Sequence, residues 1–183
     1  MKERRGLVTR KTNETDIRVS LNLDGSGRSQ IATGLGFLDH MLTALARHAR
    51  LDLEVSCTGD LHVDDHHTVE DVALAFGAAL DEALGERRGF ARFGSAYAPL
   101  DESLARAVID LSGRPCAVIR LGLTLKLLGD VAAENLTHFL ESFAVAGRMA
   151  LHVDVLYGDN NHHRAEAAFK AVALALRVAL RPD

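Results

Sequence analysis

The chain has 183 residues, 48% of them hydrophobic and 25% charged, with a formal net charge of -4. That length can bury a real core and fits one domain or two tightly fused halves, and the composition is ordinary for a soluble globular protein. The acidic balance, without any Lys/Arg cluster, argues against a nucleic-acid partner or an anionic membrane surface. No apolar run is long enough to span a bilayer, so no membrane is expected. The charged opening Met1-Lys2-Glu3-Arg4-Arg5 lacks the apolar segment of a secretory signal. A cytoplasmic protein is expected, with Cys57 and Cys116, both inside apolar runs, as buried free thiols in a reducing compartment.

In chain order, a short first strand is predicted over 6–10, and Ile17-Arg-Val-Ser-Leu-Asn-Leu23 alternates as a half-buried strand should. Asp24-Gly25-Ser26-Gly27 is a strong hairpin signal, because glycine tolerates positive φ, and a third strand over 28–33 is expected to return from it. Phe37, Leu38, Met41, Leu42, Leu45 and Ala49 fall at helical spacing. A strand over 51–57, a turn at Thr58-Gly59-Asp60 and a long helix over about 65–84 follow, the helix closed by Gly85. Glu86-Arg87-Arg88 reads as a solvated turn.

The second half repeats this order. Strands are predicted over 93–98, 104–111 and 116–123, with Ser112-Gly113-Arg114-Pro115 as a turn. A helix over 134–149, a strand over 151–156, a turn at Tyr157-Gly158-Asp159 and a final helix over 162–180 complete it, with Asn160 or Asn161 placed to cap the last helix. Phe37-Leu-Asp-His-Met-Leu42 is echoed by Leu136-Thr137-His138-Phe139-Leu140, and Leu51-Asp-Leu-Glu-Val-Ser56 by Leu151-His-Val-Asp-Val-Leu156. The pattern predicts an α+β fold from tandem duplication of a β-β-β-α-β-α unit. Each half would be a four-stranded, mostly antiparallel sheet with two helices on one face, a two-layer sandwich. Residues 1–91 would form the first half and 92–183 the second, within one compact unit.

The chemistry concentrates in a motif that occurs twice, His66-His67-Thr68-Val69-Glu70 and His162-His163-Arg164-Ala165-Glu166, each at the start of a helix. On a helix, positions i and i+4 share a face, so His66 pairs with Glu70 and His162 with Glu166. Neighbouring residues point about 100° apart, so His67 and His163 cannot easily join the metal that their immediate neighbours bind. Six of the nine histidines fall at positions that the duplication makes equivalent: His40 with His138, His66 with His162, His67 with His163. Polar groups in such density must be solvated or coordinated. The symmetric arrangement expected is one site of His66, Glu70, His163 and His40, and another of His162, Glu166, His67 and His138. Nitrogen and oxygen donors without thiolate suit Mn, Fe, Co, Ni or Zn. Asp71 is expected either to orient a ligand histidine or to be a solvated carboxylate at a helix start.

At these motifs the sequence resembles the imidazoleglycerol-phosphate dehydratase family, from about Thr9 to the end. The matching segments are Glu14-Thr15, Leu23-Asp-Gly-Ser-Gly27, Phe37-Leu-Asp-His-Met-Leu42, Asp65-His-His-Thr-Val-Glu-Asp71, Arg92-Phe93-Gly94, Pro99-Leu-Asp-Glu102, Asp110-Leu-Ser-Gly-Arg-Pro115 and His162-His-Arg-Ala-Glu-Ala-Ala-Phe-Lys170. The resemblance implies a hydro-lyase of histidine biosynthesis that converts D-erythro-imidazole-glycerol phosphate to imidazole-acetol phosphate and water. It implies two Mn2+ per active site on the ligands above. It also implies a homo-oligomeric shell of 24 subunits with active sites at subunit interfaces. Phosphate-binding positions map onto Arg92, Arg114 and Lys170, and Glu14 and Asp101 match acidic residues in or near the active site. The implied chemistry binds the substrate imidazole as an imidazolate bridging the two metals, so that ring electrons help expel the C3 hydroxyl. Loss of the C2 proton then gives an enol that becomes the ketone. Glu14, Glu70, Glu166 and Asp101 are the candidate catalytic carboxylates.

Three departures from the family are visible. The family usually continues into a Pro-Ser-Thr/Ser-Lys-Gly tail that helps to grip phosphate, whereas the sequence here ends Arg181-Pro182-Asp183. It often has Gln where this chain has Ala44. In the segment 126–133 only Gly129 matches cleanly. Weakened phosphate binding with intact metal binding is the expectation. Two other readings compete. A dinuclear phosphate-ester hydrolase would need a shared carboxylate and metals about 3.5–4 Å apart, whereas each expected site has its own glutamate. A metal-storage shell would need no phosphate anchors such as Arg92, Arg114 and Lys170.

Overall fold

Alternate burial of Thr15, Ile17, Val19 and Leu21 gives one strand an apolar face and a wet face, and that face organises the first half. The computed structural model describes residues 4–183; Met1 to Glu3, part of the charged opening, lie outside the described residues. The first half comprises β1 (Arg5–Lys11), β2 (Thr15–Asn22), β3 (Ser29–Ala32), α1 (Gly36–Ala49), β4 (Asp52–Gly59) and α2 (His66–Leu84). The second comprises β5 (Phe93–Leu100), β6 (Ser103–Asp110), β7 (Cys116–Arg120), the short strands β8 (Leu127–Leu128) and β9 (Val131–Ala132), α3 (Ala133–Ala146), β10 (Ala150–Tyr157) and α4 (Asn161–Ala179). The two large sheets have the orders β1-β2-β4-β3 and β5-β6-β10-β7. This is a duplicated α+β fold.

The glycine-rich turn after β2 does not make a hairpin. β3 lies at the far edge and runs parallel to β4, from Ser29↔Leu53 to Ala32↔Ser56, while β2 pairs antiparallel with β4. A parallel pair needs a crossover connection, and α1 supplies it. The turn itself docks on β4: Asp52 Oδ1 accepts the Ser26 and Arg28 N–H groups at 2.8 and 3.1 Å. A Cβ on Gly25 would fall 2.3 Å from the Asp52 nitrogen, so only glycine fits. In the second half β7 likewise runs parallel to β10 and stops at Arg120, short of the expected end. The β8–β9 pair was not foreseen in the divergent segment.

Helices α2 and α4 each pack on their own sheet with one face and on the other half with the opposite face. α2 rests on β1, β2 and β4 and meets α3; α4 rests on β5, β6 and β10 and meets α1. The helices therefore lie between the two sheets, and one hydrophobic core runs through both halves. Phe76 of α2 stacks on Phe143 of α3 at 4.6 Å, and Phe139 lies 5.6 Å from Phe169 of α4. Burial of each such ring contributes roughly 1.5–3 kcal/mol. A Cβ on Gly6 of β1 would sit 2.0 Å from the Ala79 carbonyl oxygen of α2, and one on Gly94 of β5 would sit 2.0 Å from that of Ala175 in α4. The same strand–helix approach thus recurs in both halves.

The halves are also stitched by polar groups. The residue at the α1 cap, Leu35, offers no side-chain acceptor. Instead Asp130, between β8 and β9, accepts the Gly36 and Phe37 N–H groups at 2.5 and 3.0 Å. Reciprocally, Asp65 of the first half accepts the Ala132 N–H at 2.8 Å, at the start of α3. These carboxylates meet the free N–H groups and positive dipole end of each helix. Arg87 corrects the expectation of a solvated turn at 86–88. Its side chain is only 13% exposed, pairs with Asp81, and donates to the Leu111 and Gly147 carbonyls at 3.0 and 2.8 Å. Glu86 and Arg88 alone face water.

The cysteines also depart from expectation. Cys116 is exposed, because it opens an edge strand, and Cys57 is half-buried near the end of β4. Burial, helped by the charges of Asp71 and Asp16, pushes the Cys57 thiol up to about 11. No helix among the described residues is long and apolar enough to cross a membrane.

Candidate metal centre

Two clusters of imidazole and carboxylate form where helices of opposite halves cross. In the first, His40 of α1 meets His162 and Glu166 of α4: Glu166 Oε2 lies 3.0 Å from His40 Nε2 and 3.1 Å from His162 Nε2. In the second, His66 and Glu70 of α2 meet His138 of α3. Glu70 Oε2 lies 3.6 Å from His66 Nε2, and Oε1 lies 3.2 Å from His138 Nε2. The His66 and His138 rings stack at 5.1 Å, and Asn135 Oδ1 holds His66 Nδ1 at 3.1 Å. Within each cluster the three donor atoms lie within 4.8 Å of one another. The helical spacing of the motif places each His–Glu pair on one face. Asn160 fixes the start of α4 by accepting the His162 and His163 N–H groups.

The expected partition of ligands is corrected at two positions. His40 joins His162 and Glu166, not His66 and Glu70, and His138 joins His66 and Glu70. The reason is packing: α1 lies on α4 and α2 on α3. His67 and His163 join neither cluster of their own chain. Their Nδ1 atoms face carboxylates instead, Asp60 Oδ2 at 2.9 Å and Glu102 Oε2 at 2.7 Å. Those hydrogen bonds, Asp60 first and Glu102 first respectively, raise the two imidazole pKa values. Asp60, Glu102 and Asn135 escaped the sequence reading. Glu102 stands beside the chosen Asp101 in a matching segment, and Asp60 lay in what read only as a turn.

The donor set suits a first-row divalent ion: two imidazole nitrogens and a carboxylate oxygen, without thiolate. His138 Nε2 is buried with no hydrogen-bond partner despite the nearby Glu70 oxygen, which an ion at that cluster would remedy. Glu166 is ready to ligate. Burial alone would raise its pKa, but Lys170, His40 and His162 together hold it at about 2.

The other candidates are spread out. Lys170 Nζ contacts Glu166 Oε1 at 2.6 Å. Arg92, at a positive φ of 67, grips Asp110 through Nε at 2.7 Å and Nη2 at 3.1 Å, which holds the Asp110 carboxyl below its ordinary value. Arg114 is exposed on the next turn, its charge also reaching Asp110. The Arg92 N–H donates to Ala179 at the end of α4, nine residues and so about 13 Å of helix from Lys170. Arg92 and Arg114 thus both act on Asp110, while Lys170 pairs with Glu166. Glu14 is exposed between β1 and β2, on an open groove of about 810 Å³ shared with Asp60 and His62, and its charge reaches His67. Asp101, at φ 46 and 74% exposed, lies 3.7 Å from His163 Nε2. Asp71 neither orients a histidine nor faces water: it is buried, accepts the Thr15 hydroxyl at 2.5 Å and pairs with Arg10.

These features define a duplicated α+β scaffold with two symmetric imidazole–carboxylate clusters between its halves. The chain belongs to the imidazoleglycerol-phosphate dehydratase family, whose model matches residues 33–176. An imidazoleglycerol-phosphate dehydratase of Phytophthora nicotianae is 57% identical over 176 residues, covering 96% of this chain and 39% of the relative, so the chain spans well under half of that protein. One of Methanothermobacter thermautotrophicus is 55% identical over 180 residues, covering 98% of this chain and 92% of the relative. The crystal structure of the dehydratase from Staphylococcus aureus subsp. aureus N315 superposes with a TM-score of 0.88 at 35% identity, over 98% of this chain and 99% of that one.

Proposed function

We propose that this chain dehydrates imidazoleglycerol phosphate to imidazole-acetol phosphate in histidine biosynthesis. We further propose a cytoplasmic homo-oligomer of 24 copies with two Mn2+ per active site. The observation that carries the reading is the pair of symmetric clusters in a chain of this family. His40, His162 and Glu166 would hold one ion, and His66, Glu70 and His138 the other. When bound, the ions supply Lewis acidity and orient the substrate imidazole.

The chain's own groups do the rest. The reaction removes the C2 proton and expels the C3 hydroxyl as water, and the resulting enol becomes the ketone. Glu14 and Asp101, on exposed turns beside His67 and His163, are free to take or return that proton. Arg92, Arg114 and Lys170 would bind phosphate. The absence of His67 and His163 from their own chain's clusters supports sites completed by a neighbouring copy. Two free thiols, one of them exposed, suit a reducing compartment. The two clusters share no carboxylate, which gives no support to a dinuclear hydrolase.

The test is metal analysis of the purified protein together with an assay for imidazole-acetol phosphate. Mn2+ with product formation is expected; Mn2+-loaded protein that forms no product would overturn the activity. Chelation should release smaller oligomers, because metal binding and association are linked. Gel filtration showing an unchanged large particle after EDTA would remove the shared sites from the proposal.

A further inference from the structure

We propose that Glu102 and Asp60 are positioning residues that set which ring nitrogen of His163 and His67 carries the proton, and that only Glu102 has no tolerance for an amide in its place. The inference rests on the reading of those two histidines as ligands. A neutral imidazole ligates through the nitrogen that lacks a proton, so the hydrogen bond at the other nitrogen decides which atom can bind a metal. A carboxylate only accepts. His163 Nδ1 at 2.7 Å from Glu102 and His67 Nδ1 at 2.9 Å from Asp60 are therefore both N–H donors. In each ring Nε2 is left as the lone-pair nitrogen.

The two carboxylates differ in what their second oxygen does. Glu102 Oε1 accepts three donors: Asp159 N–H at 3.1 Å, Asn160 N–H at 2.9 Å and the Ser103 hydroxyl at 3.1 Å. Asp60 Oδ1 is buried and accepts none. An amide at position 102 must turn its oxygen to the two backbone N–H groups, which can only donate, and so its amino group to His163 Nδ1. That nitrogen would then have to accept, the proton would move to Nε2, and the ligand would be lost. An amide at position 60 meets no such demand. It can keep its oxygen on His67 and leave the tautomer unchanged.

The experiment compares Glu102→Gln, Glu102→Ala and Asp60→Asn. The imidazole tautomers are read by long-range 1H–15N NMR of metal-free protein at alkaline pH, and Mn2+ affinity by electron paramagnetic resonance. Glu102→Gln should move the His163 proton to Nε2 and weaken Mn2+ binding at that ligand's site by roughly 10–100-fold, the range for losing a ligand's supporting partner. Asp60→Asn should leave the His67 proton on Nδ1 and the affinity nearly unchanged. Glu102→Ala, which frees Nδ1 to water, should bind Mn2+ better than Glu102→Gln; a purely structural role would give the reverse order. A His163 proton still on Nδ1 in Glu102→Gln, or Glu102→Ala as the weaker binder, would overturn the proposal. Neither readout needs turnover. Tautomers that respond in a protein that makes no imidazole-acetol phosphate would count against the activity alone, and the opposite pattern against this inference alone.

Discussion

In the first half the connection between β1 and β2 spans three residues, Thr12 to Glu14, and the carboxylate that holds His67 comes from Asp60, just past β4. In the second, the connection between β5 and β6 spans two residues, Asp101 and Glu102, and the carboxylate that holds His163 comes from that turn. The strands of the two large sheets, the helices, the Gly6 and Gly94 approaches and the clusters correspond between halves. Duplication has thus preserved the packed layers and the imidazole–carboxylate clusters that project from them. The same kind of support has been drawn from different loops, where backbone is not constrained by a core.

The comparison can be broken most severely at the clusters. Glu70→Gln and Glu166→Gln should each empty one metal position and lower kcat/KM by more than the roughly 10–100-fold typical of a ligand's supporting partner. Metal content and kinetics would show it, and two unequal losses would mean that the clusters are not functional equivalents. Next in size, Gly6→Ala and Gly94→Ala should each cost about 1–3 kcal/mol through overpacking against a carbonyl. Denaturant midpoints should fall by similar amounts, and a neutral result at either position would disprove the matched approach. Asp130→Ala and Asp65→Ala should cost about 1 kcal/mol each, as lost helix caps do. Asp130 should cost more, since it accepts two N–H groups and Asp65 one.

The smallest effect is acid sensitivity of the second sheet. Arg106 first, and then Arg120, hold Asp154 below its ordinary value of 3.8. A carboxylate depressed on folding contributes stability that is present above its unfolded value and is lost as pH falls through the folded one. Asp154→Asn should therefore flatten the fall in stability below about pH 4. A slope identical to that of the unaltered protein would assign acid unfolding elsewhere.

What could be read from sequence was what repeats locally. The four long helices, the strands of both large sheets and the doubled His-His-x-x-Glu motif follow from period and spacing, and the residues of both clusters were all named. What escaped depends on distant packing. The two assignments of His40 and His138 are equally symmetric on paper, and only α1 lying on α4 chooses between them. The Asp24-to-Gly27 turn is a sound local signal, but the partner of β3 is set by the α1 crossover. Arg87 reads as solvated until Leu111 and Gly147 arrive beside it. Glu102 and Asp60 were hidden because a carboxylate on a turn has no sequence mark that tells solvent from an imidazole.

Each cluster takes donors from both sides of the duplication, and this constrains its history. A free-standing polypeptide of half this length would own only part of each imidazole–carboxylate cluster. Two copies, docked about a twofold axis with their helices facing, would rebuild both clusters, but only at concentrations high enough to keep them paired. Fusing the copies into one chain replaces that bimolecular encounter with a tethered one, whose effective concentration reaches the millimolar range for short links. Separately expressed fragments should then find each other and restore both clusters together, as an echo of that earlier partnership.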